Sequence, residues 1–168
     1  MKVVVLSDTH SPRRWKSMPP EVAKHLVGAD AILHAGDVCT VDVLVELSGF
    51  APVSAVFGNN DLPEVAEWGA PESLELVLGG LRVAMIHDSG PAAGRGRRMR
   101  SRFPAADLVV FGHSHIPMDL SPLDPTGAEV HLFNPGSPTD RRRQPAPTLG
   151  LLDIRDGQLS SARIIAVS

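Results

Sequence analysis

The chain has 168 residues, of which 43% are hydrophobic and 21% charged, and its formal net charge is -3. This length and composition are typical of one globular domain over residues 1–168 and exclude a disordered chain. The negative charge excludes a generally basic nucleic-acid-binding protein, and the absence of an apolar run of about 20 residues excludes a membrane span. A single cysteine cannot form an internal disulfide, so we expect a cytoplasmic protein.

The chain begins with an apolar strand that ends in polar side chains. Lys2 to Leu6 is a β-branched apolar run without a breaker, which predicts a strand covered on both faces, as in parallel sheets. The pattern that follows predicts, in chain order, a helix over 21–27, a strand over 29–37, a helix over 41–47 capped by Thr40, and a strand over 53–57. Two short helices between three apolar strands indicate parallel βαβ units with right-handed crossovers.

The second half of the chain predicts further strands, several of them antiparallel. We expect one hairpin around Gly79-Gly80 and a last hairpin around Asp156-Gly157. The predicted elements are strands over 72–78, 81–86 and 107–111, a basic helix over 97–103, strands over 118–123 and 129–133 separated by a turn over 124–127, and strands over 149–154 and 160–167. Two packed sheets with helices outside would bury all of these strands, so the predicted fold class is α/β.

Five of the apolar strands end in side chains that can bind a metal ion. These side chains are Asp8 and His10, Asp37, Asn59, His87, and His113 and His115. Taken singly, each also fits a turn residue, a helix cap or a satisfied polar group. Taken together, they converge on one edge of the sheet if the strands are parallel neighbours, which is where open α/β sheets bind ligands. We therefore predict a shared metal site.

The ligand types limit the metal and its chemistry. Mixed oxygen and imidazole ligands suit Mn, Fe, Ni, Co or Zn and argue against Ca or Mg. Seven ligands exceed the about four of a tetrahedral zinc site, and they suit two ions about 3.5 to 4 Å apart that share a carboxylate. Such a pair attracts a phosphate ester, lowers the pKa of a shared water and neutralises the phosphoryl oxygens, so no Ser or Cys nucleophile is required.

Five short motifs resemble the ordered motifs of calcineurin-like metallophosphoesterases. They are Asp8-x-His10, Gly36-Asp37, Gly58-Asn59-x-Asp61, His87 and Gly112-His113-x-His115. The resemblance covers the whole chain. The segments 33–37 and 134–137 resemble the small YfcE-like phosphodiesterase branch, which includes the retromer scaffold subunit of eukaryotes. The resemblance implies a four-layer αββα sandwich of two mixed β-sheets flanked by helices, the metallo-dependent phosphatase fold.

The resemblance also implies roles for the predicted ligands. It implies one ion held by Asp8, His10 and His115, a second held by Asn59, His87 and His113, and Asp37 as the bridge. Many relatives carry a histidine where this chain has Asn60, and that histidine donates a hydrogen bond or a proton to the leaving group. An Asn side chain can donate the bond but no proton at neutral pH. Asn60 and Asp61 are therefore the candidate catalytic side chains, acting on the leaving group or orienting a metal ligand.

We expect a dinuclear-metal-dependent phosphodiesterase with a metal-bridging hydroxide as nucleophile. Manganese is the first choice of metal, with Ni, Fe, Zn or Co as the others. A phosphomonoesterase acting on a nucleotide or sugar phosphate, and a non-catalytic protein-interaction scaffold of the same fold, are the alternatives. The expected partner is a small phosphoester; nucleic acid and membranes are not expected, and a homodimer is left open. Arg13, Arg14 and Arg141 are weaker candidates for contacts with substrate phosphate.

Three other features have two interpretations each. The basic run from Arg95 to Arg102 is either the solvated face of an amphipathic helix or a surface that holds a phosphorylated substrate. Asp88 is either a solvated loop residue or a carboxylate that orients a ligating imidazole. His34 alternates away from Asp37 along its strand, so we predict a buried, hydrogen-bonded role for it instead of ligation.

Overall fold

A computed structural model describes residues 1–122 and 126–167 of the protein. The strands in these ranges are β1 (Lys2–Leu6), β2 (Ala31–His34), β3 (Val53–Ala55), β4 (Ser73–Leu78), β5 (Leu81–Ile86), β6 (Leu108–Val110), β7 (Met118–Leu120), β8 (His131–Asn134), β9 (Thr148–Arg155) and β10 (Gln158–Ala166). The helices are α1 (Pro20–Leu26), α2 (Asp42–Ser48), α3 (Pro63–Trp68) and α4 (Arg95–Arg102). None of these described helices has the length and hydropathy of a membrane span.

The strands form two mixed sheets of five strands each. In the first sheet the order is β10-β9-β1-β2-β3, with β1, β2 and β3 parallel, β9 antiparallel to β1, and β10 antiparallel to β9. In the second sheet the order is β4-β5-β6-β8-β7, with β5, β6 and β8 parallel and the outer strands β4 and β7 antiparallel to their neighbours. The predicted parallel strands and both predicted hairpins are confirmed.

Strand β1 explains why the sandwich has four layers. Val3 and Val5 face the core between the two sheets, whereas Val4 and Leu6 face the core between the first sheet and helices α1 to α3. All four side chains are 0% exposed, which is why the sequence of this strand shows no polar alternation. A third core lies between the second sheet and α4, so the predicted αββα arrangement is confirmed.

Three local features differ from the prediction or lie beyond it. The predicted cap of α2 is wrong, because the helix begins at Asp42 and its N-cap residue is Val41. The Thr40 hydroxyl instead donates to Ser11 Oγ (3.1 Å). Helix α3 is an addition, because six residues with only Val65 buried give no apolar period to detect. The predicted turn over 124–127 falls largely on positions 123–125, outside the described residues.

Candidate metal centre

The predicted ligands lie in the loops that follow β1, β2, β3, β5 and β6, at one edge of the sandwich. Within each sheet these strands are parallel, so their carboxyl ends meet at the same edge. A hydrogen bond from the main-chain N of His113 to Asp8 Oδ2 (3.0 Å) joins the loop of one sheet to the loop of the other. Side chains separated by about a hundred residues of sequence, such as Asp8 and His113, therefore share one pocket.

One group of ligand atoms consists of Asp8, His10 and His115. The two Nε2 atoms of His10 and His115 lie 3.2 Å apart, and His115 Nε2 lies 3.4 Å from Asp8 Oδ1. The Nδ1 of His115 donates to the main-chain oxygen of Asp140 (2.7 Å). Because a carbonyl oxygen can only accept, the proton of the neutral ring is on Nδ1, and the Nε2 lone pair faces the group.

A second group surrounds Asn59 Oδ1. This oxygen lies 3.1 Å from His87 Nε2 and 3.0 Å from His113 Nδ1. The Nδ1 of His87 donates to the main-chain oxygen of Ala35 (2.7 Å), which again leaves Nε2 facing the group. These three side chains offer one amide oxygen and two imidazole nitrogens to a common point.

The carboxylate of Asp37 lies between the two groups. Its Oδ2 is 3.9 Å from His10 Nε2, and its Oδ1 is 3.3 Å from His87 Nε2. Asn60 holds both oxygens, because its main-chain N donates to Oδ1 (2.9 Å) and its Nδ2 donates to Oδ2 (2.7 Å). Each oxygen of Asp37 therefore faces a different group, an arrangement that suits a bridging carboxylate.

The pocket shifts the pKa of several groups. Burial raises the pKa of Asp8 to about 7. Burial acts to lower the pKa of His87, but its hydrogen bond with Asp37 and the charges of Asp37 and Asp8 outweigh burial and raise the pKa to about 9. Burial acts to raise the pKa of Asp37, but the contacts with His87 and Asn60 hold it below its usual range. Without a cation, protons on Asp8 and His87 balance the buried negative charge.

One buried atom supplies a test of whether these residues fit a metal ion. Asp8 is 0% exposed, and its Oδ1 has no hydrogen-bond partner among the described residues. A buried carboxylate oxygen without a partner is unfavourable, whereas the other oxygen, Oδ2, is satisfied by Ser7 Oγ and the main-chain N of His113. A divalent ion beside Oδ1 would satisfy it, and the mixed oxygen and imidazole donors suit a transition metal. The residues present fit such a group.

The ligand loops contain a cluster of unusual backbone conformations. Of the eight described non-glycine residues with positive φ, six lie at this site: Asp8, His10, Asp37, Cys39, His113 and His115. Such conformations store strain and concentrate at functional sites. Hydrogen bonds between the first two loops hold them, from Asp8 N to Gly36 O (2.9 Å) and from His10 N to Asp37 O (3.0 Å). Sequence reasoning missed this feature because the residues are not glycines.

Glycines that precede the ligands let the loops approach each other. A Cβ on Gly112 would lie 1.9 Å from Ser7 Oγ and 2.9 Å from Asp8 Oδ2, and a Cβ on Gly58 would lie 2.3 Å from Asp37 N and Oδ1. All of these distances are shorter than a van der Waals contact. The glycines of the Gly-Asn and Gly-His motifs are therefore required by the packing of neighbouring loops against the carboxylates.

Asp61 fastens the loops through both oxygens of its carboxylate. Its Oδ1 accepts from Cys39 N (2.6 Å), and its Oδ2 accepts from Gly58 N (2.7 Å) and Asp37 N (3.2 Å). Of the two roles expected for Asp61, orienting a metal ligand is the one that this geometry supports. The segment after β8 has a similar task, since Ser137 Oγ donates to Asp8 O (2.8 Å).

Two clefts open beside the ligands. The His10 cleft, of about 480 Å³, is bordered by His10, Asn60 and Asp140 and by Arg13, Arg14 and Arg142. The His87 cleft, of about 360 Å³, is bordered by Asn59, His87 and His113 and by Phe57 and Ile86. Arg141 is not part of either lining, because its guanidinium donates to Gln144 O (2.6 Å) within its own turn.

The basic run around α4 binds main-chain oxygens. Arg98 donates to Ser89 O and Pro91 O, Arg100 donates to Ala106 O and Glu129 O, and Arg95 donates to Gly90 O. These three guanidinium groups therefore stabilise the loops around the helix, a role that neither sequence interpretation included.

Two further features have clear positions. Asp88 is exposed, and its Oδ1 accepts from Gly90 N (2.7 Å) in its own turn. His34 is fully buried with Nε2 3.1 Å from Thr9 Oγ1, which confirms its predicted buried, hydrogen-bonded role.

Comparisons with known proteins agree with this architecture. Residues 1–157 match the calcineurin-like phosphoesterase superfamily domain. A probable metallophosphoesterase of Methanothermobacter thermautotrophicus is 36% identical over 169 residues, which cover 98% of this chain and 92% of the relative. A solution structure from Thermotoga maritima is 27% identical with a TM-score of 0.73, and 98% of each chain is covered. Wild-type Vps29 of Entamoeba histolytica, complexed with Zn²⁺, shares the fold at 22% identity and a TM-score of 0.75, covering 99% of this chain and 98% of that one. The chain therefore belongs to the calcineurin-like phosphoesterase superfamily.

Proposed function

We propose that this chain is a phosphodiesterase that uses two divalent transition-metal ions, with manganese as the first choice. The observation that carries the proposal is the buried Asp8 Oδ1, which has no partner among the described residues although it lies among the converging oxygen and imidazole donors. Asp8, His10 and His115 would hold one ion, Asn59, His87 and His113 the other, and Asp37 would bridge them. The bound ions would supply the nucleophile at neutral pH by lowering the pKa of a water molecule.

The residues of the chain prepare this site before any substrate arrives. The main-chain oxygens of Asp140 and Ala35 orient the imidazoles of His115 and His87, so each presents Nε2 without a rearrangement. Asn60 fixes the Asp37 carboxylate through two hydrogen bonds, and a fixed ligand lowers the reorganisation needed during the reaction.

Two features favour diesters over monoesters. Asn60, at the edge of the His10 cleft, cannot supply a proton to a leaving group, so esters with good leaving groups react best. The clefts on both sides of the ligand cluster leave room for two ester arms, whereas a monoester fills only one. The expected partner is accordingly a small phosphodiester.

A hydrolysis panel tests the proposal. The protein is stripped with chelator, reloaded with Mn, Ni, Fe, Zn or Co, and assayed on bis(4-nitrophenyl) phosphate, 4-nitrophenyl phosphate and a cyclic diester. We expect the diester with two aryl arms to react fastest with at least one metal. Asp37→Asn should lower kcat/KM on the order of 100-fold. Mutating a residue that only supports a metal ligand already costs up to about 100-fold, and Asp37 would itself be a ligand. Asp156→Asn is the matched control, since Asp156 has a similar φ of 51° but lies in the β9–β10 turn.

Two results would contradict the phosphodiesterase proposal. Activity confined to the monoester would favour a phosphomonoesterase. Stoichiometric metal in the purified protein without hydrolysis of any ester would favour a non-catalytic scaffold of the same fold.

A further inference from the structure

Each of the two clefts is bordered by a histidine that faces a different oxygen of the Asp37 carboxylate. The His10 cleft begins at the imidazole that faces Oδ2, and the His87 cleft begins at the imidazole that faces Oδ1. Their volumes of about 480 and 360 Å³ are each large enough for a small organic group. A phosphodiester held between the ligand groups would therefore extend one arm into each cleft.

The His10 cleft is strongly positive. Its lining contains three arginines, Arg13, Arg14 and Arg142, and one acidic residue, Asp140. Within residues 1–122 and 126–167, none of these three guanidinium groups forms a hydrogen bond or an ion pair. The contrast is with arginines such as Arg98, whose guanidinium is occupied by main-chain oxygens. Unpaired arginines that converge on a cleft are suited to bind a carboxylate or phosphate group.

The His87 cleft has the opposite character. Apart from the candidate metal ligands, its charged side chains are Glu72, Asp88 and Arg102, and these three give it a negative formal charge. Arg102 already lies over the ring of Phe103 (5.5 Å to the centroid). Half-buried apolar side chains, Phe57 and Ile86, complete the lining. This cleft disfavours an anion and favours an uncharged, apolar or planar group.

We propose that the substrate is an unsymmetrical phosphodiester whose one arm carries a second anionic group. Arg13, Arg14 and Arg142 bind that group in the His10 cleft, and the uncharged arm occupies the His87 cleft. This proposal rests on the proposed phosphodiesterase function, and it names the class of substrate that the site selects.

A matched pair of probes tests it: 4-nitrophenyl phenyl phosphate and 4-nitrophenyl 4-carboxyphenyl phosphate, which share a leaving group and differ by one carboxylate. With the manganese-loaded protein at low salt, we expect kcat/KM to be about tenfold higher for the carboxylated probe, since each exposed guanidinium contributes a few-fold. The preference should shrink in about 0.5 M salt, because exposed charges are screened. Combining Arg13→Gln, Arg14→Gln and Arg142→Gln should bring the ratio close to one. Arg155→Gln, at the opposite end of the first sheet, should leave the ratio unchanged.

Binding measurements separate this proposal from the proposed function. Calorimetry with phenyl phosphate and 4-carboxyphenyl phosphate should show the same preference of about tenfold, again lost in the triple arginine variant. If no diester is hydrolysed but this binding preference is present, the proposed function fails and the anion site stands. Equal affinities for the two monoesters, or equal kcat/KM for two probes that are both hydrolysed, would overturn the proposal.

Discussion

Replacing Asp61 by Asn separates a loop-fastening role from a role at the leaving group. The two carboxylate oxygens accept three main-chain N–H groups, from Cys39, Gly58 and Asp37. An Asn side chain has one accepting oxygen, and its NH₂ group must face at least one of these donors. The variant Asp61→Asn therefore leaves at least one partly buried N–H without an acceptor and removes the charge from the remaining bonds.

The expected destabilisation follows from these contacts. An unsatisfied buried donor costs about 1 to 3 kcal/mol, and hydrogen bonds to a charged group contribute more than neutral ones, so we expect the free energy of unfolding to fall by about 2 to 4 kcal/mol. Urea unfolding in the presence of chelator measures this change without a contribution from metal. Glu64→Gln is the matched control, because the exposed Glu64 accepts only one main-chain N–H, from Val41 (3.1 Å), and the Gln oxygen can replace it.

A stable Asp61→Asn variant would refute this reasoning. If its free energy of unfolding lies within about 0.5 kcal/mol of the parent protein while kcat falls most for poor leaving groups, Asp61 acts on the leaving group instead. Loss of stability together with a similar loss for good and poor leaving groups is the result that the geometry predicts.

Two further predictions concern packing and pH. Gly112→Ala should destabilise the metal-free protein by about 1 to 3 kcal/mol and weaken manganese binding, because its Cβ would overlap Ser7 Oγ. Urea unfolding measures the loss of stability, and calorimetry measures the loss of manganese affinity. Gly49→Ala is the control, since the nearest contact of its Cβ would be 3.3 Å. Burial lowers the pKa of His34 to about 3 from 6.5, so the unfolded chain binds one more proton between these values. The free energy of unfolding therefore carries no penalty from His34 above pH 6.5 and falls by about 1.4 kcal/mol per pH unit as the pH drops from 6.5 towards 3. His34→Gln should remove this slope from the pH dependence of unfolding.

The strand pattern and the convergence of the candidate ligands at one edge were predictable because both follow from one sequence feature. A β-branched apolar run such as 2–6 is typical of a strand covered on both faces, and where such strands are parallel neighbours the polar residue after each run lies at the same edge. Helix α3 was missed because its six residues bury only Val65 and show no apolar period, although Pro63 at its start and Gly69 at its end are helix signals. Helix α4 was predicted, but the role of its arginines was not, because Arg98 and Arg100 bind main-chain oxygens of neighbouring loops and a sequence does not show where those loops pass.

The backbone of the site depends on tertiary structure in the same way. Left-handed conformations at residues such as Asp37 and His115 are unfavourable by about 1 to 3 kcal/mol each, and nothing in their local sequence compensates for this. Glycine would relieve the strain, but it has no side chain with which to hold a metal ion. The strain is instead opposed by bonds from other elements, such as those of Ser137 to Asp8 O and of Asp61 to Asp37 N. A candidate metal ligand can therefore adopt this conformation only where neighbouring residues hold its main chain. For this reason we expect the loop-fastening residues Asp61 and Ser137 to affect metal binding.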